Sequence, residues 1–112
     1  VERDRVAQRV IAENIGSLGV DEKSIVIKTT ISNWLKSMSV TEKFDIIFAD
    51  PPYHDTQNSS VIALASVLAP GGQLILSNPK SAPALHLTGL ELTDERIYAD
   101  AKISFYQKTT DN

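Results

Sequence analysis

The chain has 112 residues, of which 42% are hydrophobic and 22% charged, a length and composition typical of one globular domain (1–112) and not of a disordered segment. Its net charge of −3 argues against binding nucleic acid by overall positive charge, and the lack of cysteine excludes disulfides, thiolate metal sites and a cysteine nucleophile. No apolar run reaches the roughly 20 residues that span a bilayer, so we expect a cytoplasmic protein with no membrane partner.

The first predicted element is an amphipathic helix over Arg3–Ile15. Its apolar residues recur every three or four positions, which is the period of a helix with one buried face. Asp4 falls in the predicted first turn, where negative charge complements the helix dipole. Gly16 and Gly19 follow as residues that end a helix.

Two strands and a second helix follow. Ile25-Val26-Ile27 and Phe44–Ala49 are apolar runs rich in β-branched or aromatic residues, and both are predicted strands. Between them, Ser32–Met38 is predicted as a short helix with Trp34 and Leu35 facing the core. This order is typical of a parallel sheet.

The next segment repeats the pattern. Asn58 or Ser59 is predicted to cap a helix that runs through Val61–Leu68. Pro70-Gly71-Gly72 is predicted to be a turn, and Gln73–Ser77 a third strand.

The last part of the chain has a different pattern, in which two apolar segments adjoin. Leu90–Tyr98 and Ala101–Lys108 predict an antiparallel hairpin with its turn at Ala99-Asp100. Tyr106 is expected to pack on an edge strand. The whole pattern predicts an α/β fold: a three-layer sandwich with a mostly parallel sheet, helices on both faces and an antiparallel hairpin at the C-terminal end.

Polar residues follow each predicted parallel strand. Thr29-Thr30 comes after the first, Asp50 after the second and Ser77-Asn78 after the third. Ligands of open α/β sheets bind beyond the carboxyl ends of the strands. We therefore expect these three strand ends to form one binding edge.

The most distinctive of these strand ends is the tetrapeptide Asp50-Pro51-Pro52-Tyr53. Pro51 and Pro52 cannot both continue a sheet, because proline has no backbone N–H and a fixed φ. Asp50 offers hydrogen-bond acceptors and Tyr53 a flat ring. Together they suit a planar base that carries an exocyclic amine.

The same residues resemble a known enzyme family. The tetrapeptide after Phe44–Ala49 resembles the catalytic motif of S-adenosylmethionine-dependent amino-methyltransferases, and Leu68–Leu74 is similar to the Pro-Gly-Gly turn of that superfamily. The segments 1–5, 14–19 and 102–106 look like the RsmD family. The resemblance implies a Rossmann-like methyltransferase fold, S-adenosylmethionine as cofactor, 16S rRNA or the small ribosomal subunit as partner, and guanine N2 as the methylated atom.

The resemblance also implies residue roles. Glu2 would accept hydrogen bonds from the cofactor ribose, and Asp50 would also belong to the cofactor site. Asp50 and the Pro51 carbonyl would hold the target amine, and Tyr53 would stack on the base, which must be unstacked to enter the pocket. Pro52 would stiffen this catalytic segment. No metal is implied.

Two departures from the family pattern stand out. The family usually has Asp or Asn where this chain has Thr30, so the contact from Thr30 to the cofactor adenine is an open expectation. No Gly-x-Gly occurs in the chain, so the resemblance implies a domain that lacks its first strands and its glycine-rich cofactor loop. We expect Ile25–Ile27 to pair directly with Phe44–Ala49, or a missing N-terminal segment or second chain (a homodimer) to complete the sheet.

Other interpretations stay open. The chain could be a catalytically incompetent fragment that acts as a dimerising or binding module, or it could methylate an adenine or cytosine amine in DNA. His54, Asp55 and Ser59 are adjacent without triad geometry, and a loop is the better interpretation. Lys80 could touch a substrate phosphate, although an exposed lysine is usually only solvated.

Overall fold

The computed structural model describes residues 1–37, 42–50, 58–83 and 85–109, without the side chains of 58–60. The chain divides into two compact units, Val1–Met38 and Ser39–Asn112. No helix among the described residues is long and apolar enough to cross a membrane.

The first unit begins with helix α1, Arg5–Leu18. Asp4 is the residue before the helix and not part of its first turn, and its carboxylate accepts a hydrogen bond from the Ala7 amide at 2.8 Å. Capping of this kind satisfies a backbone N–H that has no partner inside the helix. Gly19 ends the helix in the left-handed conformation (φ 68°), as predicted, whereas Gly16 lies inside it.

The predicted strand Ile25–Ile27 is wrong, because this segment is not part of a ladder. The Glu2 amide donates a hydrogen bond to the Ile27 carbonyl (2.9 Å), and Ile25 is 86% exposed. An apolar β-branched run becomes a strand only when a neighbour supplies repeated hydrogen bonds. Within the second unit the ladder partner of Phe44–Ala49 is the segment 68–76, and the expected pairing of Ile25–Ile27 with Phe44–Ala49 stays a prediction.

Helix α2, Ile31–Ser37, begins one residue before its predicted start at Ser32. Thr30 precedes it, and its hydroxyl accepts a hydrogen bond from the Asn33 amide (3.1 Å). Trp34 and Leu35 are half-buried, in agreement with the predicted inward face.

The second unit contains a four-stranded sheet in the order β1-β2-β4-β3. Its strands are β1 (Phe44–Ala49), β2 (Leu68–Pro79), β3 (Leu90–Tyr98) and β4 (Ala101–Lys108). The β1 and β2 strands are parallel, and the other two pairings are antiparallel. The predicted bounds of β1, β3 and β4 are confirmed to the residue.

Pro70-Gly71-Gly72 is not a turn but an irregularity inside β2. Between the pairs Phe44–Leu68 and Ile46–Gln73, β1 advances two residues while β2 advances five. Gly71 takes φ 79°, a conformation that favours glycine. The extra residues therefore form a bulge and the chain continues in the same strand.

Helix α3, Asn58–Leu64, and a 3-10 turn, Ala65–Val67, lead into β2. Leu68, predicted to end the helix, is the first residue of β2. The capping role predicted for Asn58 or Ser59 depends on side chains outside the described residues and stays a prediction.

The core of this unit is a set of buried side chains from the α3 segment, three strands and the 85–90 segment. They include Ala49, Val61, Leu64, Val67, Leu68, Leu74, Leu76, Leu87 and Tyr106. Tyr106 lies on β4, an inner strand, so its predicted edge position is wrong. Burial alternates along β4, and the more buried face carries Lys102, Ser104 and Tyr106.

Candidate functional site

Asp50 lies where the parallel part of the sheet ends. It directly follows Ala49, whose partner in β2 is Leu76, so Asp50 and the next β2 residues, Ser77 and Asn78, reach the same edge of the sheet. We call these three residues, Asp50, Ser77 and Asn78, the carboxyl rim. Asp50 is exposed, and its carboxylate is accessible to a ligand. Pro51, Pro52 and Tyr53 lie outside the described residues.

The carboxyl rim also receives the start of β4. Asn78 pairs with Lys102, and Pro79 pairs with Ala101. Lys102 is the residue that sequence reasoning missed, because lysine is rarely buried without a partner. The signal that could have indicated it is its position on β4, an even number of residues before the buried Tyr106.

Glu2 lies in the first unit and is half-buried. One carboxylate oxygen accepts a hydrogen bond from the Asp4 amide (3.0 Å), and the Glu2 backbone is held by the Gln8 side chain (2.9 Å) and the Ile27 carbonyl (2.9 Å). The carboxylate is thus oriented by local contacts. A carboxylate accepts hydrogen bonds through two oxygens, so its chemistry fits a ribose diol.

Thr30 lies three residues after Ile27, the residue that binds the Glu2 amide. Its hydroxyl oxygen accepts the Asn33 amide of α2. A threonine hydroxyl that accepts one bond still has its own hydrogen to donate. The residue therefore has an assigned structural role and keeps the capacity for one polar contact with a ligand.

No group of three or more histidine, aspartate and glutamate side chains among the described residues is arranged to hold a metal ion. The groups present are carboxylates and backbone carbonyls, which accept hydrogen bonds, and a hydroxyl, which can also donate; they suit an organic ligand.

The family model described as Conserved hypothetical protein 95 matches residues 1–107. The match spans nearly the whole chain, and the chain therefore belongs to this RsmD-like family. No curated protein matches the chain.

Solved structures show the same fold. A conserved hypothetical protein from Streptococcus pyogenes superposes with a TM-score of 0.84 at 24% identity, over 95% of this chain and 68% of that one. A Haemophilus influenzae protein described as a "putative methylase" gives 0.81 at 21% identity, over 96% and 69%. The Escherichia coli "putative methyltransferase yhhF" gives 0.80 at 16% identity, over 97% and 61%. At these identities the likeness establishes the fold, which is Rossmann-like and of the methyltransferase type.

Proposed function

We propose that this family member transfers a methyl group from S-adenosylmethionine to an exocyclic nitrogen of a nucleobase, with guanine N2 of 16S rRNA as the specific target. The observation that carries the proposal is the position of Asp50. It is an exposed carboxylate directly after a parallel strand of a methyltransferase fold, at the edge where such sheets bind ligands.

The chemistry asks the protein to orient a weak nucleophile. The lone pair of an exocyclic amine is delocalised into the ring, and acceptors that hold its hydrogens favour a more tetrahedral nitrogen. In the proposal Asp50 is one acceptor and the Pro51 carbonyl is the other, while Tyr53 stacks on the base. Positioning and electrostatics of this kind can carry a large share of a rate enhancement.

The cofactor, when bound, supplies an electrophilic methyl group on a positively charged sulfur. Glu2 would hold its ribose hydroxyls, because its carboxylate is oriented by the Asp4 amide. Thr30 would donate its remaining hydroxyl hydrogen to the adenine. Asp50 would take up the proton that the amine loses on methylation.

The test is transfer of a labelled methyl group from S-adenosylmethionine to small ribosomal subunits. Wild-type chain should label the RNA, and Asp50→Asn should reduce kcat by about two to four orders of magnitude, as expected when a positioned acid–base group is lost. Isothermal titration with S-adenosylmethionine should give heat with both proteins, since the cofactor contacts proposed for Glu2 and Thr30 are retained in the variant. A wild type that binds the cofactor and labels nothing would contradict the proposal.

Duplex DNA is the matched alternative substrate in the same assay. Label in duplex DNA and not in ribosomal subunits would replace the RNA target with a DNA adenine or cytosine. RNA is the substrate we favour, because the chain belongs to an RsmD-like family.

The non-catalytic interpretation has one supporting observation. The outward side chains of β1 are apolar and exposed, with Ile46 at 56% and Phe48 at 76%. Such a surface suits association with another protein. Absence of heat with S-adenosylmethionine, together with self-association in light scattering, would favour this function over methyl transfer.

A further inference from the structure

Strand β4 carries two lysines whose ammonium groups bind backbone carbonyls. Lys102 lies near its start, and its Nζ donates to the Ala82 carbonyl at 2.5 Å. Lys108 lies at its end, and its Nζ donates to the carbonyls of Ala65 (3.0 Å) and Leu68 (2.8 Å). The two share a chemistry but hold different parts of the unit.

Lys102 is the more buried of these two lysines. The residue is 8% exposed, and the nearest carboxylate oxygen, on Glu95, is 3.8 Å from Nζ. Removing an ammonium group from water is costly unless hydrogen bonds and opposite charge compensate. The Ala82 carbonyl and Glu95 supply that compensation, so the burial of Lys102 depends on where residue 82 lies.

The segment 79–82 is a turn that is held at three points. The Ala82 amide donates to the Pro79 carbonyl (3.0 Å), and the Lys80 amide donates to the carbonyl of Asp100 (2.7 Å) in the β3–β4 turn. The third contact is the hydrogen bond that Lys102 Nζ donates to the Ala82 carbonyl. The turn is thus fixed to the tip of the β3–β4 hairpin, and its Lys80 side chain is exposed.

This turn adjoins the carboxyl rim. It continues directly from Asn78, and Asn78 is the residue of β2 that pairs with Lys102. The backbone that Lys102 fixes is therefore the backbone that presents a cation, Lys80, two residues from the rim.

We propose that Lys102 is a positioning residue, which fixes the 79–82 turn so that Lys80 contacts a phosphate of the RNA substrate beside Asp50. The inference rests on the proposed function for its ligand. A lysine ammonium attracts a phosphate as a point charge, and its effect on binding depends on whether its backbone is held in place.

Lys108 provides the matched control. Replacing either lysine by methionine keeps an unbranched apolar side chain and removes the donor. Lys108→Met releases carbonyls at Ala65 and Leu68, at the end of β4 away from the rim. If Lys102 only stabilised the fold, the two methionine variants would have similar effects on amide exchange in the 79–82 turn and on RNA binding.

The first measurement is amide hydrogen exchange. In Lys102→Met we expect the Lys80 and Ala82 amides to exchange about tenfold faster or more, as expected for loss of a bond to a charged donor, and in Lys108→Met to exchange at the wild-type rate. Lys102→Arg, which keeps a cationic donor, should restore much of the protection. Equal acceleration in the two methionine variants, or none in Lys102→Met, would overturn the inference.

The second measurement is fluorescence anisotropy with a single-stranded RNA oligonucleotide that contains one guanosine. Lys80→Ala and Lys102→Met should each weaken binding by about threefold to tenfold, and the double variant should be no weaker than Lys80→Ala, because one residue acts through the other. Lys108→Met should bind as wild type does. Additive losses would overturn the positioning role.

The two proposals fail in different ways. A wild type that binds no RNA would overturn the proposed RNA target and the Lys80 contact together. A wild type that binds RNA, with a Lys102→Met variant that binds equally well, would overturn only this inference.

Discussion

Tyr106 shows how a polar residue is accommodated in the core of the second unit. Its side chain is almost fully buried (2% exposed), and its hydroxyl donates to the Leu85 carbonyl at 2.7 Å. Burial raises the pKa of Tyr106 above the ordinary value of 10.0, and the negative charge of Glu95 raises it further. The phenol is therefore neutral over a wider pH range when the chain is folded.

The raised pKa of Tyr106 predicts a loss of stability in alkali. The raised pKa stabilises the folded chain, and this stabilisation is present in full below pH 10, the ordinary pKa of tyrosine. It is lost as the pH rises from there through the raised pKa. Denaturant titrations above pH 10 should show the free energy of unfolding of wild type falling more steeply than that of Tyr106→Phe. At pH 7 the variant should be less stable by about 1 kcal/mol, from the lost hydrogen bond. Tyr98→Phe, at an exposed site, is the control, and equal alkaline slopes in all three proteins would contradict the account.

Substitution by alanine should have opposite effects on stability at two glycines. A Cβ on Gly72 would lie 2.8 Å from the Ala69 carbonyl oxygen and 2.9 Å from that of Asp45, whereas one on Gly16 would meet nothing within 4 Å. Gly72→Ala should destabilise the chain by about 1–3 kcal/mol, because backbone must move. Gly16→Ala should stabilise it by about 0.5–1 kcal/mol, since alanine favours a helix interior. Chemical denaturation measures both, and a Gly72→Ala variant as stable as wild type would contradict the bulge geometry.

At the scale of elements, the strands predicted to the residue, β1, β3 and β4, are those with a clear pattern in their own sequence. The hairpin β3–β4 is built from adjacent segments, and its bounds follow from alternation and a tight turn. The segment Ile25–Ile27 has a strand-like composition but no ladder, because a strand also needs a neighbour that composition does not reveal. Likewise Pro70–Gly72 contains turn residues, and only the long-range pairing of β2 with β1 makes them a bulge.

Helix α2 offers a test of what Thr30 does. Its hydroxyl caps the helix through the Asn33 amide, so Thr30→Ala should cost about 1 kcal/mol locally and speed exchange of that amide, with or without S-adenosylmethionine. Thr30→Ser retains the hydroxyl and should restore the protection. If serine behaves as alanine does, the cap is not the source of the effect.

Part of the candidate site was predictable because it follows from a local sequence pattern. Asp50 follows a strand that the sequence defines well, and its position at the strand end is confirmed. The burial of Lys102 was not predictable from residue type, since it depends on a carbonyl twenty positions away in the chain, at Ala82. Roles for Glu2, Thr30, Pro51, Pro52 and Tyr53 in binding stay predictions.

At the scale of the sheet in the second unit, the two outer strands have different surfaces. The β3 strand carries several charged side chains, including the ion pair Arg96–Asp94 at 3.0 Å, and charges on an edge oppose unwanted pairing. The β1 strand exposes Ile46 and Phe48 and has one charged residue, Asp45, whereas the exposed Ile97 of β3 follows a run of charged residues. Among the described residues the ladder partner of β1 is β2 alone.

This asymmetry predicts association through β1. Light scattering of the purified chain should show a mass that rises with concentration, and Phe48→Lys should reduce the rise, because a charge opposes burial of that surface. Ile97→Lys, at an exposed position of β3, is the control and should leave the association unchanged. A monomer at all concentrations would leave no support for completion of the sheet by a second chain.

The central claim, methylation of a base nitrogen that depends on Asp50, is tested most directly by nucleoside analysis. Small ribosomal subunits would be incubated with the chain and S-adenosylmethionine, and their RNA digested and analysed by mass spectrometry. The account predicts N2-methylguanosine with wild-type chain and its loss with Asp50→Asn. A different methylated nucleoside, or N2-methylguanosine at equal levels with both proteins, would contradict it.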